Sequence, residues 1–342
     1  MKRNQQRLAA FASLALAAGI GLSACGDDDN GGSDGGGSGS DAIVFLPKNL
    51  GNPYFDASTT GGERAAEEFD GSIEEVGPDE ATAELQVPFI DTAAQQGVGA
   101  LVVSANDPSA LCDSLNQARE ADVKVITFDS DVEADCRDIF VSQADAAGIA
   151  KAQVDLIAEQ IDGDGEIAIL SAAANATNQN EWISLMEEEL AANYPDIELV
   201  DTVYGDDDDQ KSFDQTEALL SEHPDLEGII SPTTVGIAAA ARYLSESDSK
   251  GKVALTGLGT PNQMREFVEN GTVEAFALWN PEDLGYLAAY TAHALASGEI
   301  DGEEGDTFEA GDLGEYTVGA DGVVLLGEPY VFTAENIGDF DF

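Results

Sequence analysis

Basic residues are the main shortage of this 342-residue chain: 14 Lys and Arg stand against 67 Asp and Glu, for a formal net charge of -53. A surface of that sign repels nucleic acid and anionic headgroups at ordinary salt, so no nucleic-acid partner is expected. The charge reads as a solvated acidic surface and says little about a ligand. Histidine is scarcer still, with His223 and His293 alone. Neither falls in an HExxH or Cys/His spacing, and there is no Walker A loop and no GxGxxG between strand and helix, so neither a metal nor a nucleotide cofactor is expected. Cysteine is limited to Cys25, Cys112 and Cys136. After roughly the first twenty residues no apolar run is long enough to span a bilayer. Hydrophobic residues nevertheless make up 43% of the chain, in short runs. That is the pattern of a globular body with real cores, and the length points to two domains of roughly 100 to 200 residues each.

Lys2, Arg3 and Arg7 precede an apolar stretch at 8–22 that ends in Leu22-Ser23-Ala24-Cys25. A charged start, a short apolar segment and small residues before a cleavage point predict an export signal over 1–24. The terminal Leu-Ser-Ala-Cys resembles a bacterial lipobox, in which the cysteine becomes the lipid-modified first residue, so Cys25 is the expected membrane anchor. Residues 26–41, GDDDNGGSDGGGSGSD, hold no apolar side chain and cannot bury enough surface to fold, which predicts a tether over 25–41. Export also places the other two cysteines in an oxidising compartment, so a disulfide between Cys112 and Cys136 is expected. A catalytic thiol is the alternative, and neither histidine gives it a recognisable signature.

The body opens with Ala42-Ile43-Val44-Phe45-Leu46, a run suited to a strand buried on both faces. A helix is expected over 54–69, then a strand at Ala83-Glu84-Leu85-Gln86-Val87, and the alternation continues through strands at 100–104, 123–128 and 139–141 with a helix at 108–121. A second cycle repeats it: helix 146–160, strand 166–170, helix 182–192, strand 197–204, helix 212–222, strand 228–231, helix 236–244, strand 253–257, helix 264–270 and strand 275–278. Two doubly wound α/β lobes follow from that order. The expected division is 42–145 with 276–305 in one lobe and 146–275 with 306–342 in the other.

In such sheets ligands sit outside the carboxyl ends of the strands. The residues there are polar: Lys48, Asn106, Asp107, Asp129 and Asp131 in the first half, and Asn175, Asn178, Gln179, Asn180, Thr233, Thr234 and Asn280 in the second. They offer donors and acceptors with few fixed charges, which suits a polyhydroxylated ligand better than a phosphate or a metal. Lys48 read alone is more often a solvated surface residue than a ligand contact, and Asp129 and Asp131 as easily form a turn or helix cap. Tyr54, Phe55, Phe128 and Trp279 are core by default, yet beside polar strand ends they can form the apolar wall that packs on a sugar ring. The run Asp206-Asp207-Asp208-Asp209 lacks the EF-hand spacing and reads as a solvated loop.

From residue 42 onward the chain resembles the type I periplasmic binding proteins of ABC importers, within them the branch of rhamnose-binding and autoinducer-2-binding proteins. The likeness rests on Phe45-Leu46-Pro47-Lys48, Thr127-Phe128-Asp129-Ser130-Asp131, the pair Cys112 and Cys136, Thr177-Asn178-Gln179-Asn180-Glu181-Trp182, Thr260-Pro261-Asn262, Leu278-Trp279-Asn280 and the closing 331–338. The resemblance implies two Rossmann-like lobes joined by three crossing strands. It implies a ligand set of Lys48, Asp129 and Gln179, with backbone near Pro232 and Thr234. Asn178 and Asn280 stand where the autoinducer binders carry Asp, and Pro232-Thr233-Thr234-Val235-Gly236 where they carry Pro-Asp-Ala-Asn, whereas 174–180, 231–237 and 278–286 look like the rhamnose binders.

The mechanism so implied is hinge closure of a monomer on a small neutral sugar, which a membrane permease then reads. Asp129, Asn178, Gln179 and Asn280 would bond hydroxyls, Lys48 a ring or hydroxyl oxygen, and Phe55 or Trp279 would line the apolar side. An autoinducer-2 receptor is the alternative. A sugar-modifying enzyme would need a titratable pair, for which only Asp129 with Asp131 is available.

Overall fold

The computed structural model describes residues 42–342. The expected signal at 1–24, the anchor Cys25 and the tether at 25–41 lie outside the described residues. No helix among the described residues is long and apolar enough to cross a membrane.

The first lobe runs β1 (Ala42–Leu46), α1 (Pro53–Glu68), β2 (Ser72–Glu75), α2 (Ala83–Gln96), β3 (Ala100–Val103), α3 (Cys112–Glu120), β4 (Lys124–Phe128) and β5 (Ile139–Ser142). The second runs α4 (Ala146–Gln160), β6 (Gly165–Ser171), α5 (Thr177–Asn193), β7 (Ile197–Tyr204), α6 (Asp209–Glu222), β8 (Leu226–Ser231), α7 (Thr234–Glu246), β9 (Ala254–Gly257), α8 (Pro261–Glu269) and β10 (Ala275–Leu278). Then follow α9 (Pro281–Ser297), β11 (Thr307–Glu309), β12 (Glu315–Thr317), β13 (Val323–Leu325) and β14 (Tyr330–Thr333).

Strand order is β13-β5-β4-β3-β1-β2 in the first sheet and β7-β6-β8-β9 in the second, parallel throughout. β10 continues the second sheet beside β9 through the Leu258–Ala277 bridge and pairs antiparallel with β14. Each lobe therefore repeats one winding, β2-β1-β3-β4-β5 and β7-β6-β8-β9-β10. Period-two alternation sorts the side chains of β1: Ile43 and Phe45 join one apolar layer, Val44 and Leu46 the other. Each such fully buried side chain contributes about 1.5 to 3 kcal/mol.

The chain crosses between lobes at 143–145, 279–280 and 326–329. This corrects the expected boundaries. β10 stays with the second sheet, α9 packs on α1 and the first sheet, and β13 extends that sheet beside β5, so the first lobe takes 281–325 rather than 276–305. Only 330–342 return to the second lobe, where Arg265 donates to the Phe340 carbonyl.

The expected strand at 83–87 is a second correction, because it forms the first turns of α2. Its buried residues are Ala83, Gln86, Ile90 and Ala93, a helical spacing that the local alternation of apolar and polar residues masked. The true second strand, Ser-Ile-Glu-Glu, is polar because it is an edge. Helices α3, α5 and α7 also differ at their starts, at Cys112, Thr177 and Thr234 rather than 108, 182 and 236. Cys112 and Cys136 are joined as a disulfide.

α1 and α9 meet at two glycines. A Cβ on Gly61 would fall 1.8 Å from the Glu282 carbonyl oxygen, and one on Gly285 1.8 Å from that of Ser58. Only glycine permits that approach of the two helices.

Candidate functional site

The carboxyl ends of both sheets face one cavity, built from strand ends and the first turns of helices. Lys48 follows β1 and is 4% exposed, its backbone carbonyl fixed by the Asn106 amide at 2.8 Å. Asp129 follows β4 with φ 60°, a left-handed conformation that aspartate tolerates and that aims its carboxylate inward. It accepts from Ser104 Oγ at 2.7 Å and Tyr54 Oη at 3.1 Å, and Lys48 Nζ lies 3.7 Å away. Tyr54 Oη in turn accepts from Trp279 Nε1 at 2.8 Å. Burial, then the neighbouring Asp129 charge, pushes the Tyr54 phenol well above its ordinary value, so it remains a donor. Tyr54 stands in the first turn of α1, whose cap Asn52 accepts from the Tyr54 N–H at 3.1 Å.

The facing wall comes from the second lobe. Asn178 and Gln179 occupy the first turn of α5. Gln179 ties that turn to β6, its Oε1 accepting from Ser171 Oγ and the Ala172 N–H, both at 2.8 Å. Its carbonyl engaged, Gln179 leaves its amide nitrogen for the cavity. Thr233 caps α7 in position but not by hydrogen bond; its hydroxyl donates to Asp207 instead. Thr234 opens the helix beside it. Burial raises the Asp207 carboxyl from its ordinary value, against the opposing pull of Lys48 and the Thr233 hydroxyl.

Hydrogen bonds cross from lobe to lobe: Lys48 Nζ to Asn178 Oδ1 at 3.1 Å, Asn178 Nδ2 to the Asp129 carbonyl at 3.3 Å, and Asn175 Nδ2 to Asp107 Oδ2 at 3.2 Å. The cleft is thus closed in this structure. Drawn together in this way, the walls leave a cavity of only about 40 Å³. Phe55, Trp279, Trp182, Leu258, Leu278 and Pro232 form its apolar lining. The two indoles meet edge to face, centroids 6.0 Å apart. Outside, a broader groove runs between Asp79 and Glu80 on one side and Asp206 and Lys211 on the other, reaching the cavity at Asp207.

Nine of the eleven expected ligand residues converge on the cavity: Lys48, Tyr54, Phe55, Asp129, Asn178, Gln179, Pro232, Thr234 and Trp279. Two do not. Phe128 packs behind the wall against Phe45 and Phe55. Asn280 caps α9, its Oδ1 accepting from the Glu282 N–H at 2.9 Å. Asp131 is held by a bidentate pair with Arg137, at 2.8 and 2.9 Å, so it does not share a site with Asp129.

Asp207 is the chief residue that strand-end reasoning missed, since an acidic run gives no sign of which member turns inward. Asn52 carried a usable signal, a capping residue before the N1 proline. Trp182, Leu258 and Leu278 gave none beyond apolarity.

Residues 43–300 match the family model described as periplasmic binding protein domain. Among solved structures, a sugar ABC transporter protein of Actinomyces odontolyticus is 54% identical over 88% of this chain and 97% of its own, TM-score 0.72. An ABC transporter solute-binding protein of Clostridium phytofermentas with bound L-rhamnose is 38% identical over 88% and 98%, TM-score 0.85. LsrB of Clostridium saccharobutylicum in complex with AI-2 is 27% identical over 88% and 100%, TM-score 0.83.

Proposed function

The chain belongs to the periplasmic binding protein family, and from that premise we propose that it holds one neutral monosaccharide, L-rhamnose, between its lobes for delivery to the permease of an ABC importer. The observation that carries this reading is a cavity between the lobes whose walls combine amides and hydroxyls with two indoles and a phenyl ring. Amide and hydroxyl groups match the hydroxyls of a sugar ring, and the aromatic edge suits its C–H face and the methyl of a deoxyhexose. The likeness to the rhamnose-bound protein of Clostridium phytofermentas supports the choice of sugar.

The protein is a carrier and not an enzyme. The acid pair that the sequence offered is split, with Asp129 in the cavity and Asp131 locked to Arg137. On the same reading the protein acts outside the cytoplasm as a monomer, with Cys25 as its lipid anchor and 26–41 as its tether, which the charged, apolar and small-residue pattern of 2–25 supports.

Autoinducer-2 is the second reading, favoured by Lys48, Asp129 and Gln179 together and by the likeness to LsrB. Calorimetry on the purified body separates the two. L-Rhamnose is expected to bind with a micromolar constant, about -8 kcal/mol, and autoinducer-2, D-ribose and D-arabinose far more weakly. Tighter binding of autoinducer-2 than of rhamnose would reverse the assignment.

A further inference from the structure

Asp207 sits where an acidic surface run meets the cavity. Asp206 and Asp207 both take left-handed φ, 53° and 51°, which is uncommon outside glycine. The turn sends the two side chains apart: Asp206 meets Lys211 at the surface, while Asp207 accepts from the Thr233 hydroxyl and lines the cavity.

The charged groups facing Asp207 are Lys48 from the end of β1, Asp129 from the end of β4 and Asp206 from its own loop. Lys48 is the only cation among them, and it already lies 3.7 Å from Asp129 and donates to Asn178. The cavity therefore holds two carboxylates and one ammonium that is already shared. Asp129 has both oxygens engaged, one by Tyr54 and one by Ser104. Asp207 has one oxygen bonded to Thr233, and no other protein donor reaches it among the described residues.

We propose that Asp207 is a specificity-determining residue of the cavity, accepting a hydrogen bond from one hydroxyl of the bound sugar and rejecting sugars that lack that hydroxyl or carry it as an ether. This deepens the sugar reading above and rests on it. A ligand without the donor leaves a half-buried carboxylate unpaired in a closed site, a larger loss than that of a neutral hydrogen bond. A sugar acid is rejected too, because its carboxylate would face two others.

The test is calorimetry of wild type and Asp207→Asn with L-rhamnose and with its singly deoxygenated and O-methylated derivatives. The amide keeps an oxygen for Thr233, so the variant should melt within a few degrees of wild type. Rhamnose should bind the variant roughly 10- to 100-fold more weakly. At one ring position the derivatives should lose a similar factor on wild type and little on the variant. Wild-type affinity should hold at neutral pH and fall as acid protonates the raised Asp207 carboxyl, with the variant flat over that range. Equal rhamnose affinity for the two proteins, or equal losses at every position in both, would overturn the assignment and leave the sugar reading standing. Wild type that binds no neutral monosaccharide would remove the sugar reading, and this assignment with it.

Discussion

The two walls of the cleft are built on the same strand winding yet leave their polar groups in opposite states. In the first lobe Trp279 donates to Tyr54, Tyr54 and Ser104 donate to Asp129, and Lys48 lies against the same carboxylate. In the second, the Gln179 amide nitrogen, the Thr234 hydroxyl and one Asp207 oxygen face the cavity without a protein partner among the described residues. A network that satisfies itself is rigid before any ligand arrives, whereas free donors and acceptors must be satisfied by water or by ligand. On the proposed function the first wall serves as a platform and the second wall reads the ligand, a division that hinge closure would complete.

That contrast breaks most visibly at Asp129. Asp129→Ala strips the acceptor from Tyr54 and Ser104 and takes from the buried Lys48 ammonium the carboxylate 3.7 Å away, leaving it the Asn178 amide oxygen, a loss of roughly 3 kcal/mol. Urea unfolding should show a lowered midpoint, and sugar binding should vanish with it. An unchanged midpoint would mean that the first wall is not held by this network.

Reduction of the Cys112–Cys136 disulfide should come next, at about 3 kcal/mol for a loop of this length. The bridge lies on the far side of the first sheet from the cavity's aromatic wall, in the layer with Val44 and Leu46. Stability should therefore fall while sugar affinity in native buffer stays the same, and a parallel loss of affinity would tie the platform to that layer.

Thr234→Val tests the second wall. It should weaken sugar binding by roughly 3- to 10-fold with no change in the urea midpoint, the reverse of the disulfide. The smallest effect is in the free protein at acid pH. Because folding raises the Asp207 carboxyl above its ordinary 3.8, the folded state binds that proton more tightly. Wild type should gain stability relative to Asp207→Asn as pH falls through the raised value, levelling off below 3.8. Urea midpoints of the pair at pH 7 and near pH 4 measure the sign.

Much of the architecture was legible because buried parallel strands announce themselves: Ala42–Leu46 and Lys124–Phe128 are short, largely apolar runs buried on both faces. Ser72–Glu75 was not, since an edge strand with one solvated face looks like loop. Nor was the start of α2, where the pattern over five residues fits either period. The same logic divides the site. Lys48, Asp129 and Gln179 stand directly after strands or in the helix turn that follows, so order along the chain located them. Asn280 stands there too, yet its side chain was taken by its own helix terminus.

Composition and local pattern determined the class of this protein: alternating strands and helices, a body without metal or phosphate motifs, and polar strand ends. Those are properties of short segments, and hydrophobic periodicity writes them directly into the residues. Which lobe receives β13 and which aspartate of an acidic run turns inward are different in kind. They depend on partners distant in the chain, Phe140 and Val141 for β13 and Thr233 and Lys48 for Asp207. Only packing that brings those segments together decided them.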